Sequence, residues 1–290
     1  MKYVFFGNTR FAAIVLEKLI QYKLFPALLI CRPDKPAGRK LAISQCSTKK
    51  VALEYNIPIL QPEILTFGLM SKLKEYRANF FLIVAYHKIL AEEILSIPAY
   101  GSLGLHPSLL PKYRGPSPIR SAILYGEKEF GVSLFLVDQE IDHGPIIKQA
   151  KIKMENAKYL ELEEKLAELG ANLIINVVPD YLEGKVKPVP QPETLSYTKK
   201  FTTADGYVDL EKQPPVLIER KIRALNPNPG VFTFLTVSQI QEILGYAIRG
   251  LPNQIKRVKL LEAKLENNKL RLLKIQVEGK KPAVVDKIIE

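Results

Sequence analysis

One stretch near the amino terminus restricts the fold more than any other: KYVFFGNTRFAAIVLEKLIQYKLFPALLIC, residues 2–31. An apolar run at residues 2–6 stops at Gly7. Phe11, Ile14, Val15, Leu16 and Leu19 then recur at helical spacing, and a second short apolar run occupies residues 27–31. This order of strand, helix and strand is the unit from which a parallel sheet is wound, because parallel neighbours need a crossover connection. Residues 80–85, FFLIVA, are apolar without alternation, as a strand covered by helices on both faces must be. Leu103–Leu105 reads as a further strand ending at His106. Residues 116–125 start a helix with proline in its first turn. Residues 132–137 and 145–154 read as two more strands, and 159–183 as a helix that Gly170 and Pro179 kink or divide.

From Gly184 the texture changes. VKPVPQPETLSYTKKFTTADG is rich in Pro, Thr and charge and has no apolar periodicity, the character of a linker crossing a surface. Residues 216–225 form one amphipathic helix. The remainder, VFTFLTV, RVKLLEAKL, KLRLLKIQV and AVVDKII, is a set of short β-prone runs separated by Asn, Gly and Pro. The expected organisation is a catalytic domain at 1–184, a linker at 185–204 and a small β domain at 205–290. The expected fold class is α/β: a Rossmann-like, mostly parallel sheet with helices on both faces, followed by a small OB-like β-barrel.

No apolar run approaches the roughly 20 residues that span a bilayer. Cys31 and Cys46 are the only cysteines, and the amino terminus reads as a strand rather than a secretion signal. A cytoplasmic protein with free thiols is expected. Three histidines and two cysteines show no ligand spacing, so no metal is expected. Forty-two Lys and Arg against 30 Asp and Glu give a net charge of +12. Residues 32–50, RPDKPAGRKLAISQCSTKK, hold six basic residues and one Asp, and the last 90 residues hold 15 basic against 10 acidic. Such concentrations suit a polyanionic partner, whereas an evenly spread charge would only keep a surface solvated.

In open parallel sheets, ligands bind beyond the carboxyl ends of the strands. Two polar clusters fall at such ends. GLHPSLLPKYRG follows the strand at 103–105, and VDQEIDHG follows the strand at 132–137. They contribute His106 and Asp142, a pair able to hold an imidazole in one tautomer and stabilise its cation. The proline-rich HPSLLPKYRGPSPI gives the histidine a rigid loop of the kind that walls a ligand pocket.

These segments resemble the folate-dependent formyltransferases, and most closely the members that act on aminoacylated initiator tRNA. FFGNTRFA, PDKPAGRKL, FLIVAYHKIL, HPSLLPKYRG, VDQEIDHGPI, KIRALNPNPGVFT and IQVEGKK carry the resemblance over nearly the whole chain. It implies transfer of the formyl group of 10-formyltetrahydrofolate to the amino group of methionine on initiator tRNA, for translation initiation. It implies His106 as the acid–base group and Asp142 as its holder. Folate would lie against Ser108, Leu109, Leu110 and Pro111, with Tyr86, Ile89, Leu90, Val137 and Asp138 around its pterin. Lys35, Arg39 and Lys40 would meet tRNA phosphates. Lys256, Arg257, Lys259, Lys280 and Lys281 would offer a second, less specific RNA surface. A monomer with no membrane contact is expected.

One position departs from the family pattern. The family places an asparagine two residues before the histidine, where its amide steadies the oxyanion, and here Gly104 stands there. Asn8, His87 and His143, all near strand ends, are candidate replacements, as is a backbone N–H that glycine lets come close. A formyltransferase acting on a nucleotide-linked amino sugar would share His106, Asp142 and the folate pocket without needing the basic loop, and the departure at Gly104 adds two further rivals: a formyl-folate hydrolase and a non-catalytic tRNA- or folate-binding relative.

Overall fold

In the computed structural model, residues 1–37, 42–64, 67–193 and 196–289 are described. Strand β1 (Tyr3–Gly7) is buried along its whole length and leads into helix α1 (Arg10–Gln21). Thr9 caps that helix by accepting from the Ala12 amide, and Phe11, Ala12, Val15, Leu16 and Leu19 form its buried face. Strand β2 (Leu28–Ile30) completes the unit that the opening sequence specifies. A short hairpin, β3 (Lys35–Ala37) and β4 (Ala42–Ser44), lies within the basic segment before α2 (Ser47–Glu54) and β5 (Ile59–Leu60). Then follow α3 (Phe67–Glu75), β6 (Phe80–Val84), α4 (Glu92–Leu95), β7 (Ser102–His106), α5 (Pro118–Tyr125), β8 (Glu129–Leu136), β9 (Ile146–Lys153) and α6 (Tyr159–Leu182).

The seven strands order as β5-β2-β1-β6-β7-β8-β9. The first five run parallel, and β8 and β9 turn antiparallel. Winding reverses between β1 and β6, which creates a crevice outside their carboxyl ends. Val4, Phe6, Leu28, Ile30 and Phe81 form one buried face with Leu69 and Leu73 of α3 and Ile94 and Leu95 of α4. On the other face α6 approaches β7 closely, and Arg10 of α1 pairs with Glu163 and Glu164 of α6. Helix α6 runs as one element with Pro179 inside it. Cys31 and Cys46 are both buried and unbridged.

The chain divides into two units. The first comprises Met1–Pro118, Glu129–Lys153 and Leu162–Thr198, and the second Ile119–Lys128, Met154–Glu161 and Lys199–Glu290. The second unit holds α7 (Pro215–Leu225), β10 (Phe232–Thr236), α8 (Val237–Leu244), β11 (Ile255–Glu266), β12 (Lys269–Val277) and β13 (Ala283–Ile289). Its four strands form an antiparallel meander in sequence order. Asn267 and Asn268, both at positive φ, make the tight turn between β11 and β12. Helix α8 lies against both edge strands, β10 and β13. The apolar pattern of this region suggested strands only, so α8 is an addition to the expected elements.

Among the described residues no helix is long and apolar enough to cross a membrane.

Candidate active site

His106 is the last residue of β7, and its side chain is almost wholly buried. Its Nδ1 lies 3.4 Å from Asp142 Oδ2, and its Nε2 lies 2.9 Å from the carbonyl oxygen of Tyr113. The ring is thus held between two acceptors from two different loops. Asp142 has a left-handed backbone, and its Oδ2 also accepts the Gly115 amide at 2.7 Å. The two strand-end clusters singled out in the sequence therefore meet. A carboxylate on one imidazole nitrogen fixes the ring and stabilises its cation when the ring takes a proton.

The SLLP turn is fixed by the strand next to it. Ser133 pairs with His106 across β7 and β8, and its hydroxyl is fully buried. That hydroxyl donates to the Ser108 carbonyl at 2.7 Å and accepts from the Leu110 amide at 3.0 Å and from Gln149 Nε2 at 2.8 Å. Ser108 Oγ donates to the Lys112 carbonyl, so its side chain closes the turn. Ser108 and Leu110 are buried, while Leu109 and Pro111 are partly open. Sequence reasoning did not single out Ser133 or Gln149. Only the antiparallel register of β8 and β9 brings them to the turn.

Of the other pocket residues expected from the sequence, Leu90 is buried in the cluster below the strand ends, and Tyr86 and Val137 pack against it. The Tyr86 phenol stands edge-on to Phe6. Among the described residues its oxygen is buried without a hydrogen-bond partner, and burial pushes its pKa up to about 12. Ile89 is 72% exposed, away from that cluster. Asp138 accepts from His143 Nδ1 at 2.7 Å.

Gly104 faces Phe135 in the antiparallel register. A Cβ built on Gly104 would lie 2.5 Å from the Phe135 ring and 2.8 Å from Val137 Cγ2. The volume that an asparagine side chain would take is filled by these two residues. The phenyl ring covers the bare strand, as aromatic neighbours of strand glycines do.

Asn8 and His87 sit where β1 and β6 diverge, and they are joined to each other. Asn8 Oδ1 accepts the Arg32 amide at 2.6 Å, which directs Asn8 Nδ2 toward His87 Nδ1 at 2.9 Å. A backbone N–H can only donate, so the orientation of this amide is settled. His87 Nδ1 is then the acceptor, and the ring proton resides on Nε2. Burial lowers the pKa of this imidazole, and Lys88, Lys35 and Arg32 push it the same way.

Lys35 is exposed on the β3–β4 hairpin, whose base is tied by Lys49 to Asp34 at 2.6 Å. Arg39 and Lys40 lie outside the described residues. In the second unit, Arg257 and Lys259 share a face of β11, opposite Phe234 and Phe232, and Lys256 alternates to the other face. The Arg257 guanidinium lies 3.7 Å over the Phe232 ring. Lys280 and Lys281 are exposed between β12 and β13. Among the described residues no group of three or more His, Cys, Asp or Glu is placed to hold a metal ion.

A buried histidine held against a partly buried aspartate at the carboxyl edge of a doubly wound sheet, with a separate antiparallel β unit behind it in the chain, describes a two-unit protein with an acid–base site. Residues 1–178 match the family described as formyl transferase, and residues 200–290 match its C-terminal domain. The chain belongs to the formyl transferase family. It is 38% identical over 237 residues to methionyl-tRNA formyltransferase of Chloroflexus aurantiacus, covering 81% of this chain and 76% of that protein. It is 36% identical over 283 residues to methionyl-tRNA formyltransferase of Thermodesulfovibrio yellowstonii, covering 96% and 92%. Among solved structures, methionyl-tRNA formyltransferase from Clostridium thermocellum superposes with a TM-score of 0.56 at 17% identity, covering 99% of this chain and 100% of that one. HypX from Aquifex aeolicus in complex with tetrahydrofolic acid gives a TM-score of 0.62 at 16% identity. That match covers 98% of this chain and 46% of HypX, so the chain spans about half of its length. At these identities the solved structures establish a shared fold.

Proposed function

We propose that the chain transfers the formyl group of 10-formyltetrahydrofolate to the α-amino group of methionine on initiator tRNA. The observation that carries the reading is the contact between His106 and Asp142, delivered by two loops at one strand end. In the transfer, a bond forms between the amine nitrogen and the formyl carbon, and the bond from that carbon to the folate nitrogen breaks. With Nδ1 kept against Asp142, His106 Nε2 exchanges its contact with the Tyr113 carbonyl for the substrates, takes the proton that the attacking amine sheds and returns one to the departing folate nitrogen. Asp142 holds the ring throughout and balances its positive charge. Both steps need a group that changes protonation in place, which a clamped imidazole supplies.

We assign folate to a pocket beside these loops. The pocket would be walled by Ser108, Leu109, Leu110 and Pro111 and by Tyr86, Leu90, Val137 and Asp138, with Ile89, exposed outside that cluster, left out of the wall. The buried, unpartnered Tyr86 oxygen supports this placement, because a pterin edge supplies the hydrogen bond it lacks. For the oxyanion, Phe135 occupies the site of the family asparagine, so a donor comes from elsewhere. Asn8 has its amide engaged by Arg32 and His87, and His143 is engaged by Asp138. His87 is favoured: its Nδ1 is capped by Asn8, and an uncharged ring presents a single fixed Nε2–H as a donor. Lys35, Arg39 and Lys40 are assigned to tRNA phosphates.

The test is formyl transfer to methionine-charged initiator tRNA, with free formate measured in parallel. Product on tRNA without excess formate is expected. Formate release alone would indicate a hydrolase, and transfer to a nucleotide-linked amino sugar would indicate the small-substrate branch. His106→Ala should lower turnover by roughly 10²- to 10⁴-fold. A purified variant with normal turnover would remove His106 from the chemistry.

A further inference from the structure

Arg114 is 2% exposed, the largest of the fully buried side chains. A buried guanidinium is ordinarily matched by a carboxylate. Here it is not: among the described residues its Nε and Nη2 both donate to one neutral oxygen, Gln191 Oε1, at 3.1 and 2.6 Å. Gln191 Nε2 in turn donates to two backbone carbonyls, those of Asp142 and Gly144, each at 2.9 Å. The amide therefore uses both donors and takes both of its acceptor bonds from a cation. Rotating it would set its NH₂ against the guanidinium, so one orientation is fixed.

These contacts close a ring around the catalytic pair. Gln191 grips the backbone of Asp142 itself. Arg114 lies between Tyr113, whose carbonyl meets His106 Nε2, and Gly115, whose amide meets Asp142 Oδ2. The segment that carries Gln191 is anchored on both sides. Val189 and Ile146 exchange two backbone hydrogen bonds of 2.8 Å. Arg114 N donates to the Ser196 carbonyl at 2.9 Å, and Thr198 N donates to the Arg114 carbonyl at 2.7 Å. Val189, Gln191, Ser196 and Thr198, from a stretch that reads as linker in the sequence, are thus laced to both loops of the site.

We propose that Gln191 is a positioning residue for the reaction: clamped by Arg114, it sets the Asp142 carboxylate against His106. The inference rests on the function proposed above. The informative variant is Gln191→Glu, which keeps an acceptor for Arg114 but sets a carboxylate against the Asp142 and Gly144 carbonyls. Gln191→Met removes both interactions and serves as the second variant.

In the full chain, Gln191→Glu should unfold within a few degrees of the parent. Its kcat should fall by about 10- to 10²-fold, the scale of an ångström-sized misplacement, with KM for tRNA and folate within about twofold. The ring-nitrogen resonances of His106, read by NMR without substrates, should move or broaden in both variants. Unchanged kcat together with unchanged His106 resonances would overturn the proposal. So would a loss of activity that merely tracks a lowered Tm with the resonances in place. If the parent protein transfers no formyl group, the functional reading falls, and the His106 resonances still decide whether Gln191 sets the pair.

Discussion

Gly104 and Phe135 face each other across β7 and β8, and that pairing changes what an asparagine at this position would do. Installed alone, Gly104→Asn meets the phenyl ring and should destabilise the protein by about 1–3 kcal/mol, the usual range for an overpacked core. The same pairing offers a test of His87. His87→Ala should lower kcat by roughly 10²- to 10³-fold, as the loss of one oxyanion donor does. Gly104→Asn combined with Phe135→Ala and Val137→Ala gives the asparagine room on the His106 side of the strand. Placed in the His87→Ala background, that set should restore a measurable part of the lost kcat. Normal turnover in His87→Ala itself would show that the oxyanion takes its hydrogen bond from another group. The glycine was legible in the sequence as a departure from a pattern. Its partner was not, because cross-strand register is set by the whole sheet and not by neighbours in sequence.

At the scale of elements, the sequence was informative wherever burial is two-sided. β1, β2 and β6 are short apolar runs without alternation, and they form the parallel centre of the sheet. Helix α7 was legible from its amphipathic spacing. Helices α2 and α4 present few apolar positions, so periodicity alone does not reveal them. Helix α8 could have been found from its ends rather than its face. Thr236 and Gln239 form a reciprocal capping box, and Gly245 closes the helix in a left-handed conformation. Residues 189–198 carry no periodic signal in the sequence; Val189, Ser196 and Thr198 are held instead by hydrogen bonds to Ile146 and Arg114, far away in the chain. The cap of α8 yields an element-scale prediction. Thr236→Ala removes the acceptor for the Gln239 amide and should cost about 1 kcal/mol, the typical value for an N-cap. Urea unfolding of the full chain, followed by a probe in the C-terminal unit, would measure it. A midpoint equal to the parent's would mean that packing against β10 and β13 holds the helix without its cap.

Over the whole molecule, the net charge of +12 is unevenly placed. The segment at 32–50 belongs to the first unit, and the basic residues of β11 and of the β12–β13 turn belong to the second. The two regions differ in what their charges touch. The Arg257 guanidinium is stacked on Phe232, which spends part of it inside the unit. Lys35 is exposed on its hairpin and available to an external anion. Phosphate contacts act by releasing counterions, so each one steepens the fall of affinity with salt. If Lys35, Arg39 and Lys40 each meet a phosphate, replacing all three with glutamine should flatten the plot of log affinity against log salt by roughly 2–3. Replacing Lys259 alone should change it by about 1 or less on the same scale. Binding of initiator tRNA across a salt series measures both. A triple variant that keeps the parental slope would place these side chains away from the RNA backbone. A triple variant that loses slope while kcat at saturating tRNA is unchanged would assign the hairpin to capture of the substrate, leaving the chemistry to the loops that join His106 and Asp142.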